Sequence, residues 1–238
     1  MKALIIAHLY GFAVPHISDY QKICDKYNIS LIEDNAQSFG QKYGDKLLGT
    51  FGDVSTYSFF SNKTIACGQG GAVVFKDKEI YTTAVTISNH GKVKDDFSAY
   101  GSNLSFNNLS AALLYGVLLK KDEIFKQREE IYQTYLHYIQ DLDLPIEVYK
   151  EKDDGIRWVL VMKIIMDNFS NNMFIKLLSE KSIACRSGMN FLPSLSHFQN
   201  NSLSFTGQRP DEILLPIHTA LKENHVVKIL STIQKIIQ

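Results

Sequence analysis

The feature that most narrows the folds open to this chain is the order of its first three apolar patterns. Ala3-Leu4-Ile5-Ile6-Ala7 is an unbroken apolar run of strand length, the pattern of a strand covered on both faces, as in a parallel sheet. After Gly11 and Pro15, the residues Ile17, Tyr20, Cys24 and Tyr27 recur at helical spacing, and Asn28 marks the helix end. Leu31-Ile32 then opens a second short strand that closes on Glu33-Asp34. Strand, helix, strand is the start of an α/β unit, and such units place their ligands at the carboxyl edge of the sheet.

Glycines at Gly40, Gly44, Gly49 and Gly52 punctuate the next stretch. Val54 to Phe60, rich in β-branched and aromatic residues, predicts a third strand. A tight loop at Gly68-Gln69-Gly70-Gly71 leads to a fourth at Ala72-Val73-Val74-Phe75. A helix is expected over 78–88, with Ile80, Ala84 and Ile87 on one side. From Asn107 to Ile139 the pattern is mainly helical, with Leu109, Ala112, Leu113, Leu119, Ile131 and Tyr135 as inward positions. Pro145 ends that region and is the expected domain boundary, giving domains 1–144 and 145–238. Beyond it, Arg157 to Met166 reads as a strand that includes the sole tryptophan, Trp158, as a core residue. Phe169 to Lys181 and Val226 to Ile237 read as helices. The expected class is α/β, with a smaller α+β carboxy-terminal domain.

Composition limits the partners. Across 238 residues, 25 Lys and Arg balance 25 Asp and Glu, so the chain lacks the basic excess that draws a protein to nucleic acid. Cys24, Cys67 and Cys185 are odd in number and form no CxxC pair, which suits a reducing, cytoplasmic setting better than a disulfide framework. No apolar stretch approaches the ~20 residues of a membrane span. His8, His90 and His197 are too scattered to suggest a metal site.

Residues 31–71 hold the groups with chemistry: Glu33-Asp34-Asn35-Ala36-Gln37, then Tyr57 to Thr64, then Gly68 to Gly71. Asp34 and Ser58 are expected at the carboxyl ends of neighbouring strands, with Lys63 on the loop after the second. An acid and an amine so placed can face each other across a ligand. A lysine amine freed by desolvation can form a Schiff base with an aldehyde cofactor. A carboxylate opposite it can hold a pyridinium nitrogen in its protonated form, so that the ring draws electrons. A hydroxyl beside the glycines can bond a phosphate. Taken singly, each has an ordinary reading: Asp34 as a turn or cap residue, Lys63 as a solvated lysine, the glycines as a turn without the lysine of a P-loop.

Taken together and in this order, the chain resembles the pyridoxal-phosphate-dependent sugar aminotransferases of the DegT/DnrJ/EryC1/StrS group. The matching stretches are His8-Leu9-Tyr10-Gly11, Glu33-Asp34-Asn35-Ala36-Gln37, Gly52-Asp53, Ser58-Phe59-Phe60-Ser61-Asn62-Lys63, Gly70-Gly71, Asn89-His90-Gly91 and Gly101-Ser102-Asn103, continuing in register to Leu215-Pro216. The resemblance implies roles. Lys63 matches the lysine that forms the aldimine with the cofactor and then shuttles a proton. Asp34 matches the carboxylate paired with the pyridine nitrogen, Gln37 a residue packed near the ring, and Ser58 a phosphate ligand. Asn103 matches an asparagine that reaches the phosphate bound by the neighbouring subunit, which implies a homodimer. The substrates implied are an amino acid, usually glutamate, and a nucleotide-linked keto sugar of the kind used in surface polysaccharide and amino-sugar biosynthesis.

Members of that group carry a further domain-sized stretch, about a hundred residues or more, ahead of the strand at Ala3 to Ala7. It supplies a Gly-Thr or Gly-Ser pair for the phosphate, an aromatic cover for the ring, and strands of the sheet. The implied fold is therefore an aspartate-aminotransferase type I-like large domain, truncated at its amino end, with an open sheet edge and exposed apolar faces. Gln69 stands where glutamate is usual, Ser105 where arginine is common, and Asn108 where glutamate is common. Two other readings compete. Relatives that dehydrate such sugars carry histidine in place of the lysine, and Lys63 argues against that. A non-catalytic remnant, or a fragment that works with a separate polypeptide bearing the other half, is the alternative; the presence of both Lys63 and Asp34 argues against a remnant.

Overall fold

The expected strand–helix–strand order is what the molecule builds first. In the computed structural model, which describes residues 1–150, 155–167, 169–189, 195–196 and 211–238, the apolar run forms strand β1 (Ala3–Ala7). Helix α1 (Ile17–Tyr27) leads from it to β2 (Ser30–Asp34), which lies parallel to β1 with Ala7 opposite Asp34. The helix buries Ile17 and Cys24 of the expected stripe, leaves Tyr20 and Tyr27 exposed, and stops at Asn28 in the left-handed conformation, φ 51°. Those two side chains join Ile6, Ala13, Leu31, Leu48 and Phe51 in one core cluster.

Between β2 and the next long strand, the glycine-punctuated stretch forms a small hairpin of β3 (Lys42–Tyr43) and β4 (Lys46–Leu47), turned through Gly44. Two-residue strands are too short to show alternation, so periodicity does not reveal them. β5 (Val54–Ser58) lies parallel to β2, and β6 (Gly71–Phe75) closes the sheet antiparallel to β5, in the order β1-β2-β5-β6. β1 and β6 are the edges, and Ile5, Val73 and Val74 are exposed.

Helix α2 (Lys78–Ser88) starts where the Asp77 carboxylate accepts from Ile80 N, and it buries none of its residues. A second small hairpin follows, β7 (Lys92–Val93) with β8 (Asp96–Phe97), and then helix α3 (Asn108–Leu118), capped by Asn107. Here the expected inward face is corrected: Leu109, Ala112, Leu113 and Leu119 are exposed, and Leu114 is the buried residue, packed with Phe59, Ile65 and Cys67. α3 is apolar almost all round, so periodicity does not choose its covered side.

By packing, the chain divides into two units, Met1–Lys126 with Asp153–Trp158, and Gln127–Lys152 with Val159–Gln238. The division falls within helix α4 (Lys121–Asp141), upstream of the boundary expected at Pro145. The second unit holds an antiparallel sheet in the order β11-β12-β10-β9, from β9 (Ile146–Val148), β10 (Leu160–Ile164), β11 (Arg186–Ser187) and β12 (Ile213–Leu215). Helices α5 (Asn171–Glu180) and α6 (Glu223–Ile237) lie in the same unit. Tyr135, Leu160, Met162, Phe174, Leu178, Leu215 and Leu230 form its dry core, each contributing on the order of 1.5–3 kcal/mol by burial. Ile131 and Tyr135 are buried as expected. β10 begins at Leu160 rather than Arg157, so Trp158 is buried but lies outside the strand and packs with the first unit.

Candidate functional site

Asp34 is the last residue of β2 and Ser58 the last of β5, so two adjacent parallel strands deliver them to the same carboxyl edge. Asp34 lies opposite Thr56 in the ladder. Both hydrogen bonds to its carboxylate fall on Oδ1, from Ala36 N at 2.9 Å and from the Thr56 hydroxyl at 3.4 Å. Among the described residues Oδ2 receives no donor. The Ser58 hydroxyl oxygen accepts from Phe60 N at 3.4 Å, which leaves its proton to donate. A half-buried carboxylate with one oxygen anchored and the other unclaimed suits a cationic ring N–H, and the serine suits an anion beside it.

Lys63 follows β5 on a turn closed by backbone hydrogen bonds from Phe59 N to Gly70 O, Ser61 N to Gly68 O, Lys63 N to Phe60 O and Cys67 N to Phe59 O. Ile65 is wholly buried under that turn. The lysine ammonium lies over the Trp158 ring, 4.4 Å from its centroid. The indole Nε1–H donates to Asn62 O at 2.6 Å, and Trp158 N donates to Tyr10 O at 3.0 Å. Tyr10 N in turn donates to Gln37 Oε1 at 2.7 Å. Tyr10 holds this bridging position in the left-handed region, φ 60°, which a bulky residue adopts only when its surroundings enforce it. Gly11, at φ +93°, follows it. A Cβ there would meet Ile156 O at 2.7 Å and Trp158 N at 2.9 Å, so only glycine lets the segment around Trp158 come this close.

Behind this edge lies a buried polar support. The Glu33 carboxylate accepts from Gly52 N, from Gly49 N at 2.8 Å and from His8 Nε2 at 3.1 Å, with both side chains inaccessible to solvent. His8 Nδ1 accepts from Val14 N at 3.0 Å, which places the imidazole proton on Nε2. Burial alone would raise the Glu33 pKa. The hydrogen bonds from His8, Gly52 and Gly49 outweigh it and hold the carboxyl below its ordinary value. Glu33 thus ties the end of β2, and with it Asp34, to β1's exit and to the 49–52 loop.

The structure therefore brings Asp34, Ser58, Lys63 and Gln37 to one edge of the first unit. Asn103 is exposed, pairs with Asn89 through a single bridge, and its Oδ1 accepts from Ser105 N at 3.2 Å. Sequence reasoning missed Trp158 and Tyr10 as neighbours of the site, and the Glu33–His8 pair as its support. Tyr10, Glu33 and His8 were signalled only by their presence in the matched stretches, and Trp158 stands in none of them. His197 lies outside the described residues. Among the described residues, no group of three or more His, Cys, Asp or Glu side chains could hold a metal ion, and no helix is long and apolar enough to cross a membrane.

The edge offers a carboxylate oxygen without a donor among the described residues, a hydroxyl proton and a lysine amine. The sequence profile of the DegT/DnrJ/EryC1/StrS aminotransferase family matches residues 1–234. A GDP-perosamine synthase of Vibrio cholerae is 36% identical over 171 residues, which cover 70% of this chain and 45% of that protein. Among solved structures, Helicobacter pylori PseC, an aminotransferase involved in the biosynthesis of pseudoaminic acid, superposes with a TM-score of 0.89 at 24% identity, over 99% of this chain and 66% of that one. A sugar aminotransferase from Streptococcus pneumoniae, solved in its PLP form, superposes with a TM-score of 0.85 at 20% identity, over 99% of this chain and 68% of that one. The chain spans about half the length of the curated relatives it matches first.

Proposed function

Because the chain belongs to the DegT/DnrJ/EryC1/StrS aminotransferase family, we propose that it serves a pyridoxal-phosphate-dependent transfer of an amino group from glutamate to a nucleotide-linked keto-deoxysugar. The observation that carries this reading is Asp34: a carboxylate at the sheet's carboxyl edge, beside Ser58, with one oxygen fixed by Ala36 and Thr56 and the other without a donor among the described residues. The names of the relatives support the sugar-nucleotide substrate, as in GDP-perosamine synthase, and a role in surface polysaccharide synthesis, as in a lipopolysaccharide biosynthesis protein of Salmonella typhimurium. The PLP form of a structural neighbour supports the cofactor.

When bound, the cofactor supplies an electron sink for the carbon whose proton is lost and regained. The chain's own residues do the rest. Asp34 Oδ2 would face a ring nitrogen and favour its protonated form. Ser58 would offer its hydroxyl proton to the phosphate. Gln37, fixed by Tyr10 N, would pack beside the ring. Lys63 Nζ would hold the cofactor at its aldehyde carbon, and as a free amine would be the group that carries a proton between substrate carbons.

A homodimer belongs to the same proposal. Asn103, assigned to the partner's phosphate, stands on a surface where Phe97, Tyr100, Leu104 and Leu109 are exposed, and a run of large apolar side chains of this kind marks an interaction face. The test is a half-reaction: the chain with pyridoxal phosphate and glutamate is assayed for 2-oxoglutarate. Release in proportion to chain supports the reading, and no release contradicts it.

A further inference from the structure

We propose that Trp158 is a positioning residue for the Lys63 amine, its ring holding the ammonium and its indole N–H pinning the loop that carries the lysine. The inference rests on the reading of Lys63 as the lysine that bonds the cofactor. The contacts that carry it converge on one buried side chain, 5% exposed. Lys63 Nζ stands 4.4 Å from the ring centroid, well inside the ~6 Å reach of a cation–π contact. The residue directly before the lysine, Asn62, receives the indole proton at 2.6 Å, shorter than an ordinary N–H···O bond. The backbone of Trp158 is joined through Tyr10 to Gln37 by hydrogen bonds of 3.0 and 2.7 Å. One residue thus meets the lysine's head, the lysine's loop and the strut that holds Gln37.

A lysine side chain has a long flexible stem, and its head group is a compact charge that can point many ways. A flat aromatic face at one side limits that freedom. The Asn62 bond adds what a ring alone does not, since it fixes the height of the loop relative to the ring. Gly11 permits the arrangement: at its φ of +93° a Cβ would lie 2.7–2.9 Å from Ile156 O and Trp158 N, so glycine is what lets the 156–158 segment pack here.

The test exploits the fact that Trp158 is the only tryptophan. Limiting pyridoxal phosphate followed by borohydride labels lysines, and peptide mass spectrometry gives the share of label on Lys63. Trp158→Phe, which keeps a ring but not the donor, should hold that share within about threefold of wild type, and Trp158→Leu should lower it about tenfold. Equal shares in all three chains, with unchanged circular dichroism, overturn the positioning role while leaving the cofactor reading intact. If wild type labels Lys63 no better than Lys46, the cofactor reading fails instead, and a second measurement decides the positioning claim. In the cofactor-free chain, Lys63→Met should change the emission of Trp158 and Lys46→Met should not. Unchanged emission in Lys63→Met overturns the claim, even if Trp158→Leu does not fold.

Discussion

His8 Nε2 and Glu33 Oε2 lie 3.1 Å apart with both side chains fully buried, and Glu33 also gathers the amides of Gly49 and Gly52. No reacting group is involved. The pair fixes where β2 ends, and hence where Asp34 is presented.

Glu33→Gln should therefore destabilise the first unit. The amide nitrogen would face an N–H donor in a site built for a carboxylate, at a cost of about 1–3 kcal/mol. Urea unfolding followed by circular dichroism measures it. The pH dependence has a definite sign. Glu33's carboxyl is held below its ordinary value, so the stabilisation it gives is fully present above the unfolded pKa of ~4.3. That stabilisation fades as pH falls through the lower folded pKa, so the gap between wild type and Glu33→Gln should be constant from neutrality to about pH 5 and shrink in stronger acid.

Asp34→Asn tests the acid at the edge. Asparagine can keep the Ala36 and Thr56 bonds through its carbonyl oxygen but cannot hold a nitrogen in its protonated form. Amine transfer should fall about a hundredfold or more while the melting temperature stays near wild type, a loss of the size seen when one electrostatic group of an active site is removed. A variant as active as wild type would remove Asp34 from the site.

Gly11→Ala forces a Cβ into Ile156 O and Trp158 N at a positive φ. We expect a loss of about 1–3 kcal/mol and displacement of the 156–158 segment. Because Trp158 is buried and is the sole tryptophan, its emission should move to the red as the ring gains water.

Tyr135 in the second unit makes the opposite prediction. Its ring is wholly buried, its hydroxyl has no hydrogen-bond partner among the described residues, and burial pushes its pKa up. Tyr135→Phe removes an unsatisfied polar group from the core, so it should be neutral or stabilising by about 1 kcal/mol. A loss of stability would mean that the hydroxyl is bonded after all.

Much of the first unit was legible because its patterns are unambiguous. α1 has one apolar stripe and an asparagine stop, and β1 is continuous and apolar, so both fall where the residues put them. The carboxyl-edge placement of Asp34 and Ser58 followed from the same order. What escaped notice had no periodic signature. α3 is apolar on all sides, and only packing against Phe59 and Ile65 selects Leu114. Trp158 adjoins the apolar strand β10 in sequence, and nothing local says that the chain turns toward Lys63 before that strand begins. The Glu33–His8 pair joins residues 25 apart in sequence, and its meaning appears only once β1 and β2 are side by side.

The most direct test of the central claim is to mix the purified chain with pyridoxal phosphate, reduce with borohydride and locate the adduct. A visible absorption band before reduction and a cofactor mass fixed on Lys63, both absent in Lys63→Ala, are what the account predicts. Label spread evenly over the lysines, or a band that survives Lys63→Ala, would contradict it.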